Sequence, residues 1–235
     1  MGLILNIETS TEVCSVALAR DGIVINQREN QSGQNHSKLL TLYIKELLDE
    51  SKIISNQLNA VAVSGGPGSY TGLRIGVSVA KGICYALQLP LIAISSLESM
   101  AKSVILNLEK YSVQTTSHFI MCPMIDARRM EVYTAFYNHD GEIMRNIQAD
   151  IIDHQSYLEF LDKGTVLFFG NGAKKCREII SHPNAIFIEN VITSASHMAP
   201  VSQRYFNLSK FADVAYYEPY YLKDFVATIP VKNIF

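Results

Sequence analysis

Charge is what this sequence has least of. Only 18% of its 235 residues are Asp, Glu, Lys or Arg, against about 25% in a typical soluble domain. The shortage is local: from Ile53 to Ser103 only Arg74, Lys81, Glu98 and Lys102 carry charge. Such a stretch reads as a well-buried α/β core, and an apolar docking face is compatible with it. No run of Lys and Arg stands out, and the formal net charge is −2. A chain that gripped RNA alone would show a basic stripe, so tight independent binding of nucleic acid is not expected. Cys14, Cys84, Cys122 and Cys176 stand far apart with no CxxC pair, so reduced thiols and a cytoplasmic setting are expected. The opening MGLILNIETST lacks the basic and long apolar regions of a signal peptide. No apolar run approaches the ~18 residues of a membrane span, so no membrane partner is expected.

Several catalytic motifs are missing too. The Gly-rich SGGPGSYTGLRIG stretch, Ser64 to Gly76, is neither GxxxxGK[ST] nor GxGxxG. There is no GxSxG elbow and no HExxH, and no two of the six histidines stand four residues apart. No metal site is expected, while a Ser–His–Asp triad stays open on the residues alone. His36, at a helix start, is expected to make a local hydrogen bond.

What is present is a repeated order of elements. Strands are expected at Leu3–Ile7, Val13–Arg20 and Ile23–Arg28, the last two joined by an Asp21-Gly22 turn. A helix from about His36 to Ser51 follows. Then come a strand at Asn59–Val63, a helix to about Leu87, a strand at Leu91–Ile94 and a helix from Ser96. The second part repeats this with strands at Phe119–Ile125, Met130–Tyr137, Glu142–Gln148, Val166–Phe169 and Ala185–Ile188. Its helices are expected at His154–Leu161, Gly170 to about Ile180, and Ser196–Lys210. The tyrosine-rich tail Tyr216–Leu222 is expected to pack back on the body. Two βββαβαβα units describe a duplicated α/β fold of the actin-like, ribonuclease-H type. The expected domains are 1–105 and 106–235, the second one reduced.

In that architecture the first strand of each half ends in an acid beside the cleft, here Glu8 and Asp126. The turns after them, Glu8-Thr9-Ser10-Thr11 and Asp126-Ala127-Arg128-Arg129, contain no glycine. A phosphate-cradling turn needs close backbone approach, which glycine allows. Glu8, Ser10, Thr11, Asp126 and Arg128 are therefore expected to form a vestigial nucleotide cleft rather than a working one. Arg128 and Arg129 read as solvated turn charges, or as a contact with Glu131 or a partner.

Two helices look made for contact. On the first, Leu40, Ile44, Leu47 and Leu48 make a core face, while Leu39, Leu42 and Tyr43 continue round it, an apolar arc of about 240°. On the second, Gly72, Gly76 and Ala80 make a stripe of small residues that lets another helix approach closely.

ILNIETSTEVCSVAL, QNHSKLLTLYIKELL, AVSGGPGSYTGLRIGVSVAKGICYAL, ISSLESMA and IDARRMEVY together resemble the bacterial TsaB family. The resemblance runs along nearly the whole chain and is densest from residue 4 to 137. It implies a part in forming threonylcarbamoyladenosine beside the anticodon of tRNA, as a non-catalytic partner of the paralogue TsaD. TsaD carries a catalytic metal on a His-x-x-x-His helix; the matching stretch here, Ser95 to Ala101, has no histidine. The resemblance implies that ATP and Mg are used by the complex through the ATPase TsaE, and that tRNA is touched only indirectly or weakly. It places the partner interface on Leu39, Leu42, Tyr43, Glu46, Tyr70, Gly72, Leu73, Arg74, Gly76, Val77 and Ala80. Self-association through the same helices, giving a homodimer when the chain is alone, is a third and weaker reading. An independent ATPase, kinase or peptidase is the alternative reading.

Overall fold

A computed structural model describes residues 2–33, 35–111 and 118–222. In the first half, β1 (Leu3–Glu8), β2 (Cys14–Arg20), β3 (Ile23–Asn30), β4 (Ala60–Ser64) and β5 (Leu91–Ile94) form one sheet in the order β3-β2-β1-β4-β5. In the second, β6 (Phe119–Asp126), β7 (Glu131–Asn138), β8 (Ile143–Ile151), β9 (Thr165–Phe169) and β10 (Ala185–Phe187) form another, in the order β8-β7-β6-β9-β10. The two orders are the same, so the duplication expected from the sequence is real. The helices between the strands also keep one order: α1 (His36–Glu50), α2 (Tyr70–Leu87) and α3 (Ser96–Leu106), then α4 (Leu158–Leu161), α5 (Ala173–Cys176) and α6 (Ala195–Asn207).

The strand sequences follow from burial. β1 and β4 pair in parallel and every residue in them is buried, which is why they read as unbroken apolar runs. On one face of the first sheet Leu5, Ile7, Val61 and Val63 pack on Leu40, Leu47 and Val77 of α1 and α2. β3, on the open edge, alternates exposed and half-buried positions instead. The long helices start and stop on local chemistry. The Ser69 hydroxyl accepts the Gly72 N–H at 3.2 Å at the start of α2. Gln88 closes that helix in the left-handed conformation, just before Pro90.

The third helices are exchanged. α3 follows the first sheet but packs Leu97, Met100, Ala101 and Val104 against Phe119, Met121 and Phe169 of the second. α6 closes the second half but packs Met198, Val201 and Tyr205 against Ile4, Ala60 and Ile92 of the first. Glu98 on α3 ties them together, accepting from Arg204 at 2.6 Å and from the Tyr205 hydroxyl at 2.8 Å. Each half thus lends the other a helix.

The reduction of the second half lies in its helices. The expected helix His154–Leu161 shrinks to the single turn of α4, because Tyr157 takes a left-handed φ of 68° and Asp153 and Ser156 bond each other in a turn. The expected helix from Gly170 to Ile180 is regular only over Ala173–Cys176. The tail does pack back: Ala212 bridges to Leu91 of β5, Pro219 is buried and the Tyr220 N–H bonds the Gly65 carbonyl at 2.8 Å. All four cysteines are free and buried, and burial pushes the Cys14, Cys84 and Cys176 thiols up to about 11. No helix among the described residues is long and apolar enough to cross a membrane.

Candidate functional site

The two cleft acids have opposite surroundings. Glu8 ends β1 with no exposed surface. Its Oε1 accepts the Ser10 N–H at 2.7 Å, while the Ser64 hydroxyl takes the Thr9 N–H at 3.2 Å. Its Oε2 has no partner among the described residues. Thr9, Ser10 and Thr11 are buried as well, and the Thr11 hydroxyl meets that of Thr193 at 2.6 Å. Asp126, by contrast, is exposed. Its carboxylate accepts the Arg128 N–H at 2.8 Å and pairs with Lys175, and its own N–H goes to Asn171 Oδ1 at 3.0 Å. Asn171 also donates to Glu12 Oε2 at 3.1 Å, joining the second half to the first.

The β1–β2 turn is covered by the chain's own α2. A Cβ added at Gly68 would fall on the Ser10 carbonyl, one at Gly72 on the Thr9 carbonyl, and one at Gly76 on the Thr9 hydroxyl, all far inside contact distance. The glycines that the turn lacks are thus supplied from across it, and they serve close packing. Gly72, Leu73, Gly76, Val77 and Ala80 are buried inside the chain. Their expected place in a partner interface is corrected accordingly: the stripe faces a β-turn, not another helix.

A second stripe on α2 does face outward. Ser78, Gly82 and Ala86 are exposed and again stand at i, i+4 and i+8. Ser78 lies two residues beyond Gly76, about 200° round the helix, so the stripes lie on opposite sides. Around Gly82 nothing comes within 4 Å of an added Cβ. Ile75, Val79 and Ile83 stand next to this stripe on α2, and they and Leu39 and Tyr43 of α1 are half-buried at the margin of the core. Leu42 stands out at 46% exposure, and Glu46 lies 3.8 Å from Arg28. At the start of α2, Tyr70 and Arg74 meet the tail: the Arg74 guanidinium lies 4.7 Å from the Tyr70 ring centre, and the Tyr221 ring lies 4.9 Å from it on centroids. Ile75, Ser78, Val79, Gly82, Ile83 and Ala86 are missed by the sequence reading. Their spacing repeats that of the inner stripe, and only the fold says which stripe is inside. His36 bonds the Val13 carbonyl at 3.2 Å, the local role expected of it.

Burial strips water from the Glu8 carboxylate and raises its pKa, against the lowering effect of the hydrogen bonds from Ser10 and Ser64. The folded chain therefore holds this proton more tightly than the unfolded chain. Stability falls as pH rises from the ordinary carboxylate value through the raised one. Glu8→Gln keeps an acceptor for the Ser10 N–H and never ionises. Its thermal midpoint is expected above the parent's at about pH 8 and close to it at about pH 4. A lower midpoint for the variant at the higher pH would contradict this.

Residues 23–231 match the family model described as TsaD, tRNA N6-adenosine threonylcarbamoyltransferase. The tRNA threonylcarbamoyladenosine biosynthesis protein TsaB of Bacillus subtilis strain 168 is 32% identical over 183 residues, 75% of this chain and 74% of that one. Its namesake in Escherichia coli K12 is 29% identical over 232 residues, 95% of this chain and 96% of that one. Among solved structures, a Pseudomonas aeruginosa protein described as uncharacterized with similarity to peptidase YEAZ superposes with a TM-score of 0.78. It is 25% identical, and the match covers 95% of this chain and all of that one (100%). A structure described as YeaZ from the same organism gives 0.79 at 24% identity, over 94% of this chain and 100% of that one. The doubled sheet order, the exchanged helices and these likenesses agree, and the chain belongs to the TsaB family.

Proposed function

We propose that this chain takes part in forming threonylcarbamoyladenosine on tRNA, as an accessory subunit that does not perform the transfer. Its relatives carry the name of that pathway. In this reading the outward face of α1 and α2 receives the catalytic paralogue of TsaD type, and a TsaE-type ATPase joins the pair and uses ATP and Mg. The observation that carries the reading is the exposed Ser78–Gly82–Ala86 stripe on α2, open at Gly82, with half-buried Ile75, Val79 and Ile83 on the same helix and exposed Leu42 on α1. A helix face of small residues beside apolar ones lets a second helix approach closely. Two further observations favour a subunit without chemistry. Glu8 is sealed beneath α2, and the helix from Ser96 has no histidine in its first turns.

Reconstitution tests this directly. With TsaD-type and TsaE-type subunits present, tRNA modification is expected to require this chain. Calorimetry of the chain alone with Mg-ATP is expected to show no stoichiometric binding. Clear binding would favour the ATPase reading, and modification that proceeds equally without the chain would end the proposal. Native mass spectrometry with and without the paralogue separates pairing from self-association through the same face.

A further inference from the structure

The β6–β7 turn holds two successive residues, Arg128 and Arg129, at left-handed φ of 69° and 48°. Such angles suit glycine or asparagine and disfavour long side chains. Strain of this kind persists only where the surroundings over-determine it, and it gathers at functional sites.

The surroundings here are specific. Asp126 fixes the turn by accepting the Arg128 N–H at 2.8 Å. Lys175, from α5, pins it from the other side, donating to the Arg129 and Glu131 carbonyls at 2.7 Å each. The same ammonium pairs with the Asp126 carboxylate. The nearest acid is thus neutralised by a lysine, not by either arginine. Both arginines are exposed, and among the described residues no ion pair or side-chain hydrogen bond occupies either guanidinium. Lys174, beside Lys175, is exposed too. The chain holds the turn rigidly and leaves its cations to solvent.

From this, and resting on the tRNA role proposed above, we propose that Arg128 and Arg129, together with Lys174, contact the phosphate backbone of RNA directly. A guanidinium presents a planar donor fork that fits two phosphate oxygens at once. A nucleotide in the cleft would use the same chemistry, but Glu8 and its turn in the other half are fully buried and offer it no surface. With a net charge of −2 and few cations, contact by this chain alone is weak and strongly salt-dependent. The inference stands apart from the α1–α2 face, because the turn belongs to the second half.

The test uses the full chain and labelled tRNA, read by fluorescence anisotropy across a salt series. At about 50 mM salt the parent is expected to bind, with a log–log salt slope of about −2 to −3 for three phosphate contacts. The variant R128G/R129G relieves the backbone while removing both guanidiniums. Its thermal midpoint is expected not to fall. Its tRNA affinity is expected to drop by at least about tenfold, and its salt slope to become shallower by about 2. R128K/R129K, which keeps the charges, is expected to keep most of the slope. Four outcomes would overturn the proposal: no binding by the parent, undiminished binding by the glycine variant, displacement of tRNA by Mg-ATP at matched ionic strength, or a glycine variant that loses a protein subunit while keeping tRNA.

Discussion

Gly76→Arg is expected to cost this protein its fold rather than its partner. Even the first carbon of a side chain at this position meets the Thr9 hydroxyl. Thr9 is fully buried in a turn that is itself packed on both sides. Overpacking by a single carbon costs about 1–3 kcal/mol, and an arginine adds an unpaired buried charge, which costs several more. Against a total stability of about 5–15 kcal/mol, the variant is expected to be insoluble or to lose its cooperative unfolding transition. Gly72→Ala is a gentler form of the same test. Its new carbon would meet the rigid Thr9 carbonyl, so a loss of at least about 1–3 kcal/mol is expected. Gly82→Ala should do the opposite. With open space around it and a helical position, alanine gains about 0.5–1 kcal/mol. Chemical denaturation of the three variants reads the contrast. Equal stabilities for the Gly72 and Gly82 variants would contradict the assignment of the inner stripe.

The second large effect is on pairing. Gly82→Arg puts a long side chain on the open stripe of α2, and Leu42→Glu places a charge on the exposed side of α1. Neither belongs to the buried core, since Gly82 is open and Leu42 is 46% exposed. Both variants are expected to unfold within a few degrees of the parent. Loss of a central close-packed contact at an interface costs about 2–4 kcal/mol, so affinity for the TsaD-type subunit is expected to fall by about 30-fold to 1,000-fold. Co-purification and titration calorimetry read this. Unchanged affinity for both variants would place the partner elsewhere on the molecule.

These two predictions divide along a line that the sequence could not draw. Gly72–Gly76–Ala80 and Ser78–Gly82–Ala86 have the same spacing on one helix. Periodicity locates two small faces, but which one meets the β1–β2 turn depends on how α2 docks. The strands were far more legible. β5 lies at Leu91–Ile94 as expected, because Pro90 marks its start and apolar β-branched residues fill it. The duplicated order was legible because acids and Asp-Gly turns recur at matching places. The exchange of α3 and α6 was not legible, since an amphipathic pattern marks the buried side of a helix without naming the sheet beneath it. α4 was overread because the apolar spacing continues through Tyr157, where the backbone turns left-handed. Of the expected cleft, Glu8 and Asp126 stand at the ends of equivalent strands, but their environments separate them: one acid is sealed and the other is tied to Lys175.

The measurement that bears most directly on an accessory role is the rate of tRNA threonylcarbamoylation in a reconstituted mixture, run with two variants of this chain. Glu8→Gln removes the acid best placed for chemistry and leaves the helix face intact. Gly82→Arg does the reverse. The account predicts a parental rate with Glu8→Gln and a rate near that of the chain-free mixture with Gly82→Arg. Loss of activity with a Glu8→Gln variant that still pairs, or full activity with a Gly82→Arg variant that does not, would contradict it.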